Sequence, residues 1–501
     1  MEKRKYRYLL FCIIVLMFFL GIVVRIFVPN INYQQNKTIT ENHSLITLNI
    51  PFVFWTSIPK NFENVGKEFD RLTEKELGIH VNLIPILSSA KTATITMMKN
   101  EGILFDLFSN TLGAPFTNKE NLLPLDELLK TDGKGILEIL SPEELALGKI
   151  DGKILKLPNK GDIAEAACVV LRKDILEKHG IKEKASSIEE LDEILNQISE
   201  KEQDIALIAP SRPDRSFLNR YYTWLPVGDV GISIMNYGDH YLPQILYKTE
   251  EYKNLVNFFY KWKQNGWIPD ESFLQDIPSS DLVKNQELLG YFCHYKPGVD
   301  TQESMKCGYN MEAWILTKPF LTSPNKITCS WAIAKTCKYP KEAMKLLNFM
   351  YTSQEAMNLL NYGIEGENYK INEKGNAVPI DEEKTYYSSV GWELPNQYLC
   401  LPWGKDSKDI WQETKKFNDT AYQSSNLGFR FDAEFYKDEI SAMQKVIDYY
   451  AFGLETGNLD PQQYLPKFLD ALKNVGMEKV ENEAQKQYEK WRKENEYTSS
   501  R

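Results

Sequence analysis

The stretch from Leu45 to Leu87 narrows the choice of folds more than any other part of the chain. LITLNIPFVFW (45–55) and IHVNLIPIL (79–87) are rich in β-branched and aromatic residues, and Phe62 to Leu77 between them carries apolar residues at helical spacing. A strand, a helix and a strand of these lengths make a βαβ unit, whose parallel strands need covering on both faces. The alternation then continues. Strands are expected at 104–109, 153–158, 166–172, 204–210 and 288–295, with helices between most of them. The fold class is therefore α/β.

Helix starts are marked by capping chemistry. Ser141-Pro142-Glu143-Glu144 has the serine, the N1 proline and the N3 glutamate of a capping box, and Ser187 with Glu190 repeats it. Ile188, Leu191, Ile194, Leu195 and Ile198 then form one apolar stripe. KEAMKLLNFMYTSQEAMNLLNYG reads as two helices parted at Thr352, with Thr352 and Glu355 as a third box and Gly363 as the C′ residue. Beyond Asp432 the chain is almost wholly helical, with breaks at 453–461 and 474–476.

The N-terminus places the protein. MEKRKYR precedes an apolar run from Leu9 to Val24, extended past Arg25 to Val28. As a helix at roughly 1.5 Å per residue it reaches about 30 Å, the thickness of the hydrocarbon core. No A-x-A-like site follows, so an uncleaved signal anchor over 1–29 is expected, with 30–44 a polar tether and the rest outside the cell. Cleavage instead would make the protein secreted. The 501 residues, 43% hydrophobic, predict two or three domains, and the net charge of −10 gives no footprint for nucleic acid. Six cysteines (168, 293, 307, 329, 337 and 400) fall in the exported part without C-x-x-C or zinc-like spacing. They read as buried free thiols, with Cys329–Cys337 and Cys293–Cys307 pairings left open.

Three stretches now combine. LLPLDELL (122–129), GKIDGKILKLPNKGDIAEAACVVLRKDILEKHGI (148–181) with SIEELDEIL behind it, and WAIAKTCKYPKEAMKLLNFMYTSQEAMNLLNYGIEGENYK (331–370) resemble, in order and spacing, the family 1 extracellular solute-binding proteins of bacterial carbohydrate ABC transporters. LGFRFD (427–432) and the helices after it resemble the C-terminal extension of the lipoprotein-type subgroup. The chain departs from that pattern in lacking a lipobox cysteine, since Cys12 lies mid-run after Phe11.

The resemblance implies a two-lobed, type II periplasmic-binding-protein-like fold with a ligand cleft between the lobes. It implies a first lobe from 45–158 and 314–365, and a second from 159–313 completed by 366–501 with its helical extension. Crossovers are expected near Pro158–Gly161, near Tyr309–Lys318 and at or just after NYGIEGENY, with Pro158, Gly161, Gly363 and Gly366 as hinge residues. The implied function is capture of a sugar or oligosaccharide by hinge closure and delivery to ABC permease subunits, by a monomer with no cofactor.

Sugars offer hydroxyls that donate and accept and ring faces that pack on aromatics, so Asn, Asp, Glu, Lys, Trp and Tyr side chains at strand ends, crossovers and loops are the candidate contacts. They are Trp55, Asn110, Asn159, Lys160, Tyr222, Trp224, Trp331, Glu365 and Trp403. A membrane-anchored sensor or a peptide binder on the same fold is the alternative. Enzyme readings fare worse. No G-x-S-x-G, H-E-x-x-H, P-loop or dinucleotide fingerprint occurs, the five histidines are scattered, and Glu365 and Glu367 would point apart in an extended segment. Neither catalytic residues nor a metal site are expected.

Overall fold

The computed structural model describes residues 46–499 except 56, 213–214, 222–223, 227–230, 236–241, 270–276, 322–328, 382–390, 423–428 and 430. The apolar run and tether at 1–44 lie outside the described residues, and among those described no helix is long and apolar enough to cross a membrane.

The opening unit forms as its pattern dictates. Ile46–Phe54 pairs in parallel with Ile79–Leu87, in register from Ile46 opposite Ile79 to Phe54 opposite Leu87. Phe62–Leu77 crosses between them and buries Phe62, Val65, Phe69 and Leu72, one stripe at helical spacing. Gly78 ends it at φ +68°, a left-handed cap that costs glycine nothing. These strands and this helix join Leu125, Leu129, Ile136, Leu157 and the helices Pro340–Thr352 and Gln354–Tyr362 in one apolar core.

A second core surrounds a five-stranded sheet. Its centre is Ala164–Arg172, whose run AEAACVVLR shows no alternation because both faces are covered. Leu288–Tyr295 and Met311–Ile315 flank it antiparallel, Phe320–Leu321 pairs near its start, and Ala206–Ala209 lies parallel to Leu288–Tyr295. Ile188–Ser199 buries the predicted stripe against this sheet. Lys437–Glu455, Pro461–Asn474 and Met477–Ser499 pack on the same core through Met443, Leu454, Phe468, Leu472, Val480 and Tyr488. Buried Glu481 fixes the last helix, accepting from the Ile245 N–H at 3.0 Å and from Lys248 Nζ at 2.8 Å.

The chain passes between the cores three times. It leaves the first after Leu157–Pro158 and enters the second at Ala164. It returns between Leu321, paired with Ala164, and Ser330–Ile333, which pairs with both Leu107–Ser109 and Leu157–Pro158. The second passage thus lies beyond Tyr309–Lys318, because Met311–Ile315 is an integral strand of the second sheet. The third runs along Ile410–Thr420: Trp411 packs on the first core, Phe417 lies 5.4 Å from the Tyr295 ring, and the Tyr422 N–H reaches Pro319 O.

NYGIEGENY is therefore not a crossing. Tyr362, Tyr369, Ala377, Leu394 and Trp403 all sit in the first core, so that lobe runs well past Glu365. The segment is a turn closed by Asn368, whose side chain accepts from the Ile364 N–H at 2.8 Å, and it leads into the hairpin Tyr369–Ile371 and Ala377–Pro379. The third capping residue also shifts by one. Ser353, not Thr352, accepts from the Ala356 N–H, while Thr352 bonds back to Asn348 O within the preceding helix. The Ser141 box is complete in both directions.

Candidate cleft between the lobes

Where the first crossing passes the segment 391–398, backbone and side chains form a strap. Lys160 donates its N–H to Pro395 O at 2.9 Å and accepts from the Gln397 N–H at 2.8 Å, so the two chains pair in parallel. Tyr398 Oη and Asn418 Nδ2 both donate to Gly161 O, and Asn418 Oδ1 accepts from the N–H groups of Ile163 and Ala164. A Cβ at Gly161 would lie 2.4 Å from Gln397 Oε1, so any other residue there would push the Gln397 side chain out of the strap. Asp162 next in line binds Lys296 Nζ at 2.8 Å and Gln397 Nε2 at 3.2 Å.

Above the strap lies a narrow cavity of about 50 Å³ walled by Asp162 and Lys296 on the second-lobe side and by Tyr362, Trp392, Trp403 and Asp406 on the other. Such a volume is far below the several hundred Å³ of a complete small-ligand site. Trp403 stacks on Tyr362 with ring centroids 4.6 Å apart and directs its indole N–H to Met305 Sδ of the second lobe. Burial pushes the Asp406 carboxyl up to about 6 against lowering by the Thr301 side chain and the Trp403 N–H, and among the described residues its buried Oδ1 has no partner within hydrogen-bond geometry. Such an oxygen is suited to a ligand hydroxyl.

The rim carries a second carboxylate. Glu393 is 3% exposed, and its two oxygens accept from Trp55 Nε1 at 2.6 Å and Thr111 Oγ1 at 2.9 Å, while its backbone carbonyl accepts from Trp331 Nε1 at 2.7 Å. Burial raises its carboxyl to about 7 against the lowering by those donors. Trp55 itself is 44% exposed and tilts over Trp392 with centroids 6.1 Å apart. A large exposed aromatic held in one orientation is a platform for the apolar face of a ligand.

The other predicted contacts divide. Asn110 is exposed at the end of Leu107–Ser109, yet its Oδ1 accepts from the Ser330 N–H. Asn159 is buried and structural, donating to Trp392 O at 2.7 Å and accepting from the Cys329 N–H. Lys160 pairs with Glu144 at 2.6 Å, and Trp331 is core at 1% exposure. Glu365 is exposed on its turn, away from the cavity walls, and Gly363 and Gly366 serve that turn at φ +82° and +85°. Pro158 accepts from Tyr351 Oη at 2.7 Å beside the first crossing. Tyr222 lies outside the described residues; Trp224 begins the strand Trp224–Pro226. Sequence reasoning missed Glu393 and Asp406, and reached Trp392 only as a weaker aromatic candidate beside Trp331 and Trp403. The one available signal was the aromatic content of the loop PNQYLCLPWG and its surroundings.

Two α/β lobes joined by three passages around such a cleft have the architecture of an extracellular solute-binding protein. A family model described as a domain of unknown function (DUF3502) matches residues 425–493. A carbohydrate ABC transporter substrate-binding protein of Streptococcus pneumoniae is 25% identical over 451 residues, covering 87% of this chain and 89% of that protein. The crystal structure of the N-glycan transport solute-binding protein NgtS of S. pneumoniae matches with a TM-score of 0.77 at 21% identity, covering 89% of this chain and 99% of that one. Its complex with Man5GlcNAc matches at 0.70 with 21% identity, over 90% and 99% of the two chains. The chain is thus similar over most of its length to a carbohydrate ABC transporter substrate-binding protein and shares the fold of NgtS.

Proposed function

We propose that the protein is the extracellular solute-binding component of an ABC importer, taking an oligosaccharide into the cleft between its lobes. The observation that carries this reading is the exposed Trp55–Trp392 platform, held by buried Glu393, with Trp392 also lining the cavity that contains the Asp406 carboxylate. Aromatic faces and carboxylate acceptors together match the two chemistries of a sugar. The relatives support the same class, since one is named for carbohydrate transport and another was crystallised with Man1GlcNAc and with Man5GlcNAc.

The reading is one of binding without bond-making. The Glu393 carboxylate accepts from Trp55 and Thr111, which fits a role in holding the aromatic platform in place. Closure of the lobes about the three passages, centred on the Gly161 strap, would bury the sugar and present the closed form to permease subunits. The apolar run at Leu9–Val28 would hold the protein, as a monomer, at the outer face of the membrane. Calorimetry and thermal shift of the full chain against Man5GlcNAc, gluco-oligosaccharides and peptides test the proposal. A saturable shift with an oligosaccharide is expected, and a shift with peptides alone overturns it.

A further inference from the structure

In the centre of the second sheet, Cys168 of Ala164–Arg172 and Cys293 of Leu288–Tyr295 are direct cross-strand partners. Both are buried, and their sulfurs lie 3.0 Å apart. Two residues directly opposite in an antiparallel pair have Cα atoms about 4.5–5.5 Å apart, inside the range a disulfide spans. No strand has to move for the bond to close. Three of the four other described cysteine sulfurs have other neighbours: Cys307 lies by Tyr291 Oη, Cys400 by Met357 O and Cys329 by Ser330 O. The pairings that sequence proximity left open, Cys293–Cys307 and Cys329–Cys337, are not the ones in which sulfurs meet.

We infer that Cys168 and Cys293 form a structural disulfide across the second-lobe sheet when the chain folds in an oxidising compartment. The expectation of such a compartment rests on the exported location proposed above, but the bonding geometry does not. The chemistry is thiol–disulfide exchange with a small-molecule or protein disulfide. One thiolate attacks the oxidant and forms a mixed disulfide, releasing a thiol; the second thiolate then displaces the other half. The two cysteines lose two protons and two electrons, and the oxidant becomes two thiols. In the folded lobe the hydrogen bond from Cys168 and burial push the Cys293 thiol well up, so the thiolate is scarce there. Exchange therefore has to precede or accompany closure of the sheet.

The bond would link residues 125 apart, all within the second lobe. It would stiffen that lobe against unfolding and leave the passages between lobes free. The two lobes would then differ in their response to reductant while ligand capture would not.

The test refolds the full chain with glutathione disulfide, then alkylates under denaturing conditions and maps peptides without reduction. Two of the seven cysteines should escape alkylation, and the peptides bearing Cys168 and Cys293 should run as one linked species. Reductant should lower the melting temperature by roughly 3–8 °C. Alkylation of all seven thiols in refolded protein, or a linkage between any other pair, overturns the inference. Should refolding fail, the same map on chain exported by living cells and trapped with N-ethylmaleimide decides it: seven modified thiols overturn it. A Cys293→Ser variant that still loses two thiols to one intramolecular bond does so too. Because no ligand is used, the result is separate from whether the cleft binds sugar.

Discussion

Trp55 donates its indole N–H to the Glu393 carboxylate at 2.6 Å, joining residues 338 apart in sequence while its ring stays 44% exposed. An exposed aromatic with a fixed orientation loses little freedom when a ligand covers it, which is what a stacking platform requires. Trp55→Ala should therefore weaken oligosaccharide binding by roughly tenfold, on the order of 1–2 kcal/mol. Its melting temperature should fall by only a few degrees, since little core is lost but the buried Glu393 carboxylate loses one donor. Calorimetry with Man5GlcNAc, or whichever sugar shifts the wild type, checks both parts. Unchanged affinity would remove Trp55 from the site.

Glu393 makes stability depend on pH. Its carboxyl is raised to about 7 by burial, above the 4.5 of a free glutamate, so the folded state holds more protons than the unfolded state between those values. Its stabilising contribution is complete below about pH 4.5 and is lost as pH rises through 7. Glu393→Gln keeps an acceptor for Trp55 and removes the titration, since the Thr111 hydroxyl can turn to accept. The variant should gain stability on the wild type between pH 5 and pH 8, measured by denaturant midpoints at both. Parallel pH profiles would show that Glu393 titrates normally.

Asn418 holds three backbone groups of the first passage, the N–H groups of Ile163 and Ala164 and the carbonyl of Gly161. Asn418→Ala leaves them enclosed without those partners and should cost about 2–4 kcal/mol. Scattering should also show a wider spread of lobe orientations, because the strap loses a fixed point. A variant as stable and as compact as wild type would count against the strap as the hinge.

Glu365 makes the opposite case. Its sequence setting between glycines suggests a ligand contact, yet the turn it occupies points it to solvent, off the cavity walls. Glu365→Ala should leave sugar affinity within a factor of two. Asn368→Ala, which strips the acceptor from the Ile364 N–H, should cost about 1–2 kcal/mol. A marked affinity loss in the Glu365 variant would return that residue to the site.

What could be read from the sequence was whatever depends on local pattern. The parallel opening unit, the Ser141 and Ser187 caps and the stripe from Ile188 to Ile198 all follow from spacing and capping chemistry. The lobe boundary near Glu365 did not, because glycines mark a turn without saying which core the flanking apolar residues join; Tyr362 and Tyr369 pack face to edge in the same lobe. The site escaped for a related reason. Glu393 works through partners at 55, 111 and 331, and contacts of that sequence separation leave no periodic trace. Trp331 and Trp55 look alike as strand-end tryptophans, yet the first donates from inside the core and the second from its rim.

Glu481 tests how the C-terminal helices are held. It is 5% exposed and satisfies the buried Ile245 N–H as well as Lys248. Glu481→Ala should cost about 1–3 kcal/mol, chiefly because the Ile245 N–H is left without a partner, while half-exposed Lys248 can turn to water. Glu481→Gln keeps an acceptor for that N–H and should recover most of the loss. Limited proteolysis resolves the effect in space: cleavage within Met477–Ser499 should accelerate in the alanine variant before cleavage in the first lobe does. If the alanine and glutamine variants lose equal stability, the Lys248 ion pair, not the backbone bond, is what docks the helix.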